Sequence, residues 1–261
     1  MAADDTSGEH GLTDRQEQIV RIVREQGYAP IETLAKRFEV SAQTIRRDII
    51  RLDEHGILQR FHGGVGVADG IVRLGYAEKR TVSADTKERI AAAAAALIPD
   101  GSAVFLDVGT TVEAVALALR DKCRLHVFTS SLPAAMRLAD RRDFTVFVTG
   151  GLVQGADGSL VGDTVRDSLR RFRLDFAVIG LSGFDDDGAV MDFDMQKVAV
   201  KQAAMKAARC SIAVADRSKF ARHALVRVAP ASDFAVLVGD GEPPPHLRDA
   251  FEGGGGRIVT A

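Results

Sequence analysis

The segment that decides the fold of the N-terminal part of the chain reads SAQTIRRDIIRL and spans residues 41–52. Ser41 is a typical residue to begin a helix, because a serine hydroxyl accepts a hydrogen bond from a backbone N–H of the first turn. Ile45, Ile49 and Leu52 then follow at positions i, i+4 and i+7 of this helix. The spacing places them along one side, and it predicts that this side packs against a core.

The opposite side of this predicted helix is polar and basic. At about 100° per residue it carries Gln43, Thr44, Arg46, Arg47 and Arg51. A helix fits the major groove of DNA, and these side-chain types offer donors and acceptors to base edges and phosphates. For an isolated helix, a solvated surface face is the more common reason for such a pattern. Asp48 falls on the core side, where we expect it to pair with a neighbouring arginine of the same helix.

The flanking segments favour the DNA-binding interpretation. A capping-box pattern at residues 13–16 begins a first helix, and a second, short helix over about residues 31–38 precedes a tight turn. After the basic helix, residues 57–65 read ILQRFHGGV, an alternating stretch with a Gly-Gly turn that predicts a β-hairpin, or wing. Near its tip, Arg60 and His62 are candidates for contacts with a phosphate or the minor groove.

The second part of the chain alternates strands with helices. The apolar run at residues 103–106 leads through a Gly-Thr-Thr turn into a helix with apolar periodicity. Three more apolar runs, at residues 125–128, 144–148 and 176–179, end in small hydroxyl or glycine residues. Continuous apolar runs are typical of parallel strands covered on both faces. Because ligands bind at the carboxyl ends of such strands, the pattern predicts a binding site at one edge of the sheet.

The Gly-Thr-Thr turn suits an anion. Gly109, Thr110 and Thr111 would stand at a helix N-terminus, where free N–H groups and two hydroxyls can bind a phosphate. A cap without any ligand explains one such turn equally well. The turn is neither a Walker loop nor a dinucleotide-binding fingerprint, because the required glycines and lysine are missing. Lys219, just past another strand, is either a charge for a phosphate or an ordinary exposed lysine.

These motifs resemble those of a known family. The residues from Thr33-Leu34-Ala35 through Ser41-x-x-Thr-Ile-Arg-Arg-Asp48, closed by His62-Gly63-Gly64, resemble the winged helix-turn-helix of the DeoR family of bacterial repressors. From Lys87 onward the chain resembles the effector domain of that family, which is similar to the ribose-5-phosphate isomerase fold. The resemblance covers about residues 13–240. It implies an α/β fold class, with an N-terminal winged helix-turn-helix and a C-terminal Rossmann-like sugar-phosphate-binding domain.

The resemblance also implies which residues bind. The DNA-binding residues would be Ser41, Gln43, Thr44, Arg46, Arg47, Arg51, Arg60 and His62. The effector-binding residues would be Asp107, Gly109, Thr110, Thr111, Ser130, Ser131, Asp194 and Lys219. The motifs GFDDDG at residues 183–188, DFD at 192–194 and DRSKF at 216–220 resemble the members that respond to glycerol 3-phosphate. Lys197 departs from the family, which usually has an acidic residue there.

Composition limits the function classes. The net charge of -2 and the 46% of hydrophobic residues exclude a disordered polyelectrolyte and a histone-like protein that binds DNA by bulk charge. The sequence has no apolar run long enough for a membrane span, and its first eleven residues lack the apolar core of a signal peptide, so we expect a cytoplasmic protein. Cys123 and Cys210 form neither a disulfide framework nor a zinc spacing. We expect both cysteines to be buried, and we expect no metal and no cofactor.

The domains predicted from these patterns are a disordered polar N-terminus (1–12), a winged helix-turn-helix (13–67), a linker (68–86) and an effector-binding α/β domain (87–261). The leading hypothesis is a DNA-binding repressor, working as a homodimer or homotetramer, that a phosphorylated small molecule releases from operator DNA. Glycerol 3-phosphate is the favoured inducer, and another sugar phosphate such as fructose 1-phosphate is the alternative. An isomerase-like enzyme is a further alternative, with Asp107 and Asp194 as its only candidate acid–base groups; we predict no catalytic residue.

Overall fold

The computed structural model describes residues 12–26, 28–61, 64–67 and 83–261. The chain divides into two compact units, Met1–Gly75 and Tyr76–Ala261. The predicted wing residue His62 lies outside the described residues, as do residues 1–11 of the predicted N-terminus and residues 68–82 of the predicted linker. Among the described residues, no helix combines the length and the apolar character that crossing a membrane requires.

The first unit contains three helices and a small sheet among its described residues. Its elements are α1 (Asp14–Gln26), β1 (Tyr28–Pro30), α2 (Ile31–Arg37), α3 (Ala42–Glu54), β2 (Leu58–Phe61) and β3 (Gly64–Val67). The strands form an antiparallel sheet in the order β1-β3-β2. The predicted hairpin is therefore present as β2 and β3. The three-residue strand β1 was not predicted, because it is too short to show alternation.

The core of the first unit forms between its helices. Ile45, Ile49 and Leu52 of α3 are completely buried, which confirms the predicted apolar stripe. The Ser41 hydroxyl accepts a hydrogen bond from the Thr44 N–H at 3.1 Å and so begins α3 as predicted. With its N-terminus capped and one side buried, α3 has a fixed orientation in the unit.

The second unit is an α/β domain. Its helices are α4 (Ala84–Ala96), α5 (Thr110–Ala118), α6 (Leu132–Leu138), α7 (Asp163–Leu169), α8 (Met195–Ala207) and α9 (Pro245–Glu252). Its strands are β4 (Ala103–Leu106), β5 (His126–Thr129), β6 (Thr145–Val148), β7 (Leu152–Gln154), β8 (Ser159–Val161), β9 (Leu174–Gly180), β10 (Gly183–Phe184), β11 (Val190–Asp192), β12 (Ala208–Ala215), β13 (Val226–Ala229), β14 (Val236–Gly239) and β15 (Arg257–Thr260).

Seven of these strands form one parallel sheet in the order β15-β14-β12-β9-β4-β5-β6. Successive residues of β4 point to opposite faces of the sheet. Phe105 packs in the hydrophobic core on one face, and Val104 and Leu106 pack in the core on the other, so both faces are covered. The parallel α/β class predicted from the apolar runs is confirmed. The smaller hairpin β7-β8 and the antiparallel sheet β10-β11-β13 were not predicted, because their strands have only two to four residues.

The order of the strands determines where a ligand can enter. From β4 the chain passes through α5 to β5 on one side, whereas β9 lies on the other side of β4. The strand order therefore reverses direction at β4, and such a point opens a crevice at the carboxyl ends of the strands. The loops that follow β4 and β9 both lie at this crevice.

Two surface features complete the fold. Strand β6 is the last strand of the sheet, and its residues Phe147 and Val148 are 43% and 45% exposed. The prediction that both cysteines are buried was wrong for Cys123, which is exposed, while Cys210 is half-buried. Cys123 lies in the loop ahead of β5 rather than in the apolar strand that follows it.

Candidate functional sites

The exposed side of α3 carries the predicted DNA-binding residues. Gln43, Arg46, Arg47 and Arg51 are exposed, as is Ser41 at the start of the helix. Among the described residues, none of these arginines forms an ion pair within the first unit. The three guanidinium groups are therefore available to phosphates and base edges.

Thr44 is half-buried in the first turn of α3, and its hydroxyl lies 2.9 Å from the Ser41 hydroxyl. The pair of hydroxyls sits at the positive end of the helix dipole, where a DNA phosphate is favoured. Arg60 lies on β2, but its side chain is outside the described part of the chain. Both wing residues, Arg60 and His62, remain predictions.

Asp48 holds α3 against α1. Its carboxylate accepts hydrogen bonds from Arg15 Nε at 2.6 Å and from Gln16 Nε2 at 3.1 Å, and its side chain is almost fully buried. The expected pairing with an arginine of α3 was wrong, because the arginines of α3 point away from the core. The hydrogen bond to Asp48 raises the pKa of Arg15 above its ordinary value. This contact fixes how α3 presents its exposed side.

In the second unit, the turn after β4 has the backbone geometry on which the predicted anion site depends. Gly109 directly precedes α5. Its φ of +117° is a backbone conformation that residues other than glycine rarely adopt. Thr110 and Thr111 form the first turn of α5. No side chain caps this helix start. Its N–H groups therefore face the crevice without a side-chain partner at the N-cap.

A buried lysine joins the loops of the crevice. Lys201 of α8 forms ion pairs with Asp107, just after β4, and with Asp192, at the end of β11, the latter at 3.2 Å. Its Nζ also donates to the Gly180 carbonyl oxygen at 2.8 Å, and the Gly180 N–H donates to Asp107 Oδ2 at 3.0 Å. Asp192 is further bound by the Ser182 hydroxyl at 3.0 Å. The cluster ties together four segments of the chain.

Burial and pairing oppose each other in this cluster, and the outcome differs between its members. Burial alone would lower the pKa of Lys201, but Asp107 and Asp192 outweigh burial and raise that pKa, so the lysine stays charged. Burial opposes the ionised form of Asp192 as well, yet Lys201 holds its pKa below the ordinary value. For Asp107, burial outweighs the same lysine and raises the pKa of the carboxyl. Its carboxylate is engaged by the Lys201 ammonium and the Gly180 N–H, which is a structural arrangement.

Two further basic side chains stand near the crevice. Lys87 of α4 is buried, and burial lowers its pKa while Asp216 and Glu113 act in the opposite direction. Burial likewise lowers the pKa of Arg222, with Asp192 and Asp216 acting against it. Because the charge of Asp216 favours the charged forms of both Lys87 and Arg222, these two side chains belong to the same charged region.

Sequence reasoning did not assign four members of this region to a site: Lys87, Asp192, Lys201 and Arg222. Two signals were available for them. Asp192 lies in the DFD motif at residues 192–194, of which only Asp194 was predicted to bind the effector. Lys201 is a lysine on a helix whose buried side also carries Val198 and Ala204.

The other predicted effector residues have structural partners. Ser130 and Ser131 follow β5 and are buried, and the Ser131 hydroxyl caps α6 by accepting from the Ala134 N–H at 3.2 Å. Asp194 caps α8 and also accepts from Gln154 Nε2 at 2.7 Å. Lys219 lies in a short 3₁₀ turn after β12 and is half-exposed. Their role toward a ligand remains a prediction.

Lys197, the departure from the family pattern, pairs with Asp157 at 2.6 Å. It thus joins the start of α8 to the turn between β7 and β8. Among the described residues, one group has the spacing of metal ligands, formed by Asp185, Asp186 and His223. Arg227 pairs with Asp185 at 3.0 Å, and Asp186 and His223 are exposed.

Comparisons with known proteins agree with this division of the chain. Residues 15–70 match the family model described as the DeoR-like helix-turn-helix domain, and residues 82–241 match that of the DeoR C terminal sensor domain. The chain is 38% identical over 239 residues to the glycerol-3-phosphate regulon repressor of Escherichia coli (strain K12), covering 92% of this chain and 95% of that protein. It is 35% identical over 238 residues to the HTH-type transcriptional repressor CsqR of the same organism, covering 91% of each.

Among solved structures, the second unit is similar to ribose 5-phosphate isomerase A from Methanocaldococcus jannaschii, with a TM-score of 0.39 and 15% identity. The match covers 52% of this chain and 54% of the isomerase. The chain thus spans about half the length of the solved isomerase it matches, and a likeness this distant does not bear on function.

Proposed function

Because the chain belongs to the DeoR family of transcriptional repressors, we propose that it represses genes of glycerol or glycerol 3-phosphate metabolism and leaves operator DNA when a phosphorylated small molecule binds. It is a regulator and not an enzyme, since the relatives that match over nearly all of its length are repressors with the same helix-turn-helix. Its partners are DNA and a small-molecule effector. We place its action in the cytoplasm, where the DNA is.

The observation that carries the DNA-binding proposal is the exposed basic side of α3. Arg46, Arg47 and Arg51 project from a helix whose opposite side is locked in the core, and Gln43 lies among them. In the proposed complex this side enters the major groove, where arginine reads guanine and glutamine reads adenine. One such helix covers few base pairs, so we expect a homodimer or homotetramer that binds paired half-sites.

The effector proposal is supported by the crevice after β4. The open start of α5 at Gly109, Thr110 and Thr111 offers N–H groups and hydroxyls to a phosphate, and Lys219 adds a positive charge. Asp107, Ser130, Ser131 and Asp194 shape the walls of the crevice in this proposal. Glycerol 3-phosphate is the favoured effector, because a relative with 38% identity is named for its regulon.

Coupling between the two functions follows from linkage. If the effector lowers the affinity for the operator by some factor, operator DNA must lower the affinity for the effector by the same factor. Both affinities can be measured on the full chain, so the reciprocity is itself a check on the proposal.

The DNA-binding part is tested by the double variant Arg47→Ala with Arg51→Ala in a selection from random duplexes. We expect it to lose sequence preference, while the matched control Arg170→Ala with Arg171→Ala, exposed in the second unit, keeps it. Both variants remove two positive charges, so bulk charge cannot explain a difference. An unchanged preference in the α3 variant would refute the assignment of α3.

The effector part is tested by a thermal-shift titration with glycerol 3-phosphate, fructose 1-phosphate, fructose 6-phosphate, ribose 5-phosphate and free glycerol. A ligand at about 100 times its Kd stabilises its domain by about 2.7 kcal/mol, a shift of several degrees. We expect glycerol 3-phosphate to give that shift and Thr110→Val to reduce it. A response to another phosphate would change the effector, and no response to any of them would refute this part.

A further inference from the structure

The side chain of Arg222 lacks a hydrogen-bond partner at a buried atom. Its Nε is shielded from solvent and has no acceptor, and the described residues provide no ion pair to its guanidinium. The guanidinium lies over the ring of Phe193, with its Cζ 5.3 Å from the ring centroid. An unsatisfied buried donor is costly in a native protein, and a charged one more so.

The position of Arg222 is fixed by its backbone. Its N–H donates to the Lys219 carbonyl oxygen at 3.1 Å, and its own carbonyl oxygen accepts from the Phe184 N–H at 2.9 Å. Gly183 lies against the same carbonyl, since a Cβ there would be 1.9 Å from the Arg222 oxygen. The backbone of Arg222 is therefore fixed, and the ring of Phe193 supports its guanidinium, so part of the ordering that binding requires is already present.

The nearby carboxylates are already engaged by other donors. Asp192 accepts from Lys201, from the Ser182 hydroxyl and from the Phe193 N–H, the last at 2.7 Å. Asp216 accepts from the N–H and the hydroxyl of Ser218. Both carboxylates favour the charged form of Arg222, as the opposing effects on its pKa indicate, but neither accepts a hydrogen bond from it.

We propose that Arg222 binds the anionic group of the effector, with its Nε–H and one Nη–H donating to two oxygens of a phosphate. This inference rests on the proposed function, because it assigns a further residue to the effector site. A guanidinium presents two parallel N–H donors that match two phosphate oxygens, which a lysine cannot reproduce. The bound phosphate supplies the acceptor that the buried Nε lacks, so the cost of leaving it unpaired disappears on binding.

The experiment is isothermal titration calorimetry of the full chain with glycerol 3-phosphate and, as the simplest probe, inorganic phosphate. The variants are Arg222→Lys, which keeps the charge but removes the paired donors, and Arg222→Gln, which removes the charge. The matched control is Arg217→Lys, in the same segment, whose side chain is 78% exposed. Melting temperatures of all ligand-free chains are measured alongside.

We expect Arg222→Lys to lower the affinity for both anions on the order of tenfold and Arg222→Gln to lower it further, while the melting temperatures of the ligand-free variants are not lowered. Arg217→Lys should bind as the unmodified chain does. If the unmodified chain binds and both Arg222 variants bind equally well, the inference fails and the proposed function stands. If the unmodified chain binds neither anion, both fail. If both Arg222 variants melt several degrees lower, Arg222 is structural and the inference is overturned.

Discussion

Replacing Asp48 with alanine should lower the melting temperature of the DNA-binding unit by about 12 °C or more. The carboxylate accepts two hydrogen bonds from Arg15, at 2.6 and 3.3 Å, and one from Gln16 at 3.1 Å. Gln16 is only 2% exposed, so its amide would lose its partner inside the core. Water would replace only part of the lost contacts.

The magnitude follows from the burial of the three groups. A hydrogen bond to a charged group contributes about 1.5–3 kcal/mol, and leaving a buried partner unpaired costs a similar amount. The Arg15 side chain is 35% exposed and can turn to solvent, so its share is small. A total of about 3 kcal/mol remains, and in a unit of this size each kcal/mol lowers the melting temperature by about 4–8 °C.

The measurement is differential scanning calorimetry of the full chain, in which the transition of the effector unit serves as an internal reference. Asp48→Asn, which keeps the shape and one acceptor oxygen, should give a smaller decrease, and Glu54→Ala, exposed at the end of α3, should give almost none. A decrease below about 3 °C for Asp48→Ala would show that the contact between α1 and α3 contributes little and that the reasoning from burial is wrong.

Three further predictions concern the effector unit. Lys201→Met should destabilise this unit by about 3–5 kcal/mol in denaturant unfolding, because the buried carboxylates of Asp107 and Asp192 lose their counter-ion; wild-type stability would contradict this. Gly183→Ala should weaken phosphate binding in calorimetry and lower the melting temperature, because the new Cβ would displace the backbone of Arg222. Although burial acts in the opposite direction, Lys201 lowers the pKa of Asp192. The stability that Asp192 contributes is therefore full above about pH 4 and is lost as the pH falls through the lowered pKa, so an acid titration of the melting temperature should be flatter for Asp192→Asn.

The sequence was sufficient to predict the features that depend on local periodicity. The buried stripe of α3, its basic opposite side and the strand-turn-helix at Gly109 are all readable within a dozen residues. The partner of Asp48 was not predictable in this way, because Arg15 lies 33 residues earlier, on a helix whose packing angle no local pattern specifies. The prediction therefore chose a neighbour on the same helix and was wrong.

The charged cluster of the crevice shows the same limit more strongly. Asp107 and Lys201 are 94 residues apart and meet only because β9 lies beside β4 while β5 lies on the other side. The order of strands in a sheet depends on how the helices cross between them, which periodicity does not reveal. For the same reason Arg222 and Lys87 carried no signal, since each is an ordinary basic residue until the fold buries it.

The last strand of the sheet has a consequence for the handling of the protein. Strand β6 pairs with β5 on one side, and no strand of the described part of the chain pairs with its other side. With Phe147 and Val148 partly exposed, this edge is apolar. Such an edge is a template on which another extended chain can add itself, and charge or proline is what normally prevents this growth. We expect concentrated preparations to form ribbon-like aggregates from this strand, and we expect a lysine in place of the 45% exposed Val148 to suppress them, whereas Phe147 stacks on Phe128 and is better kept.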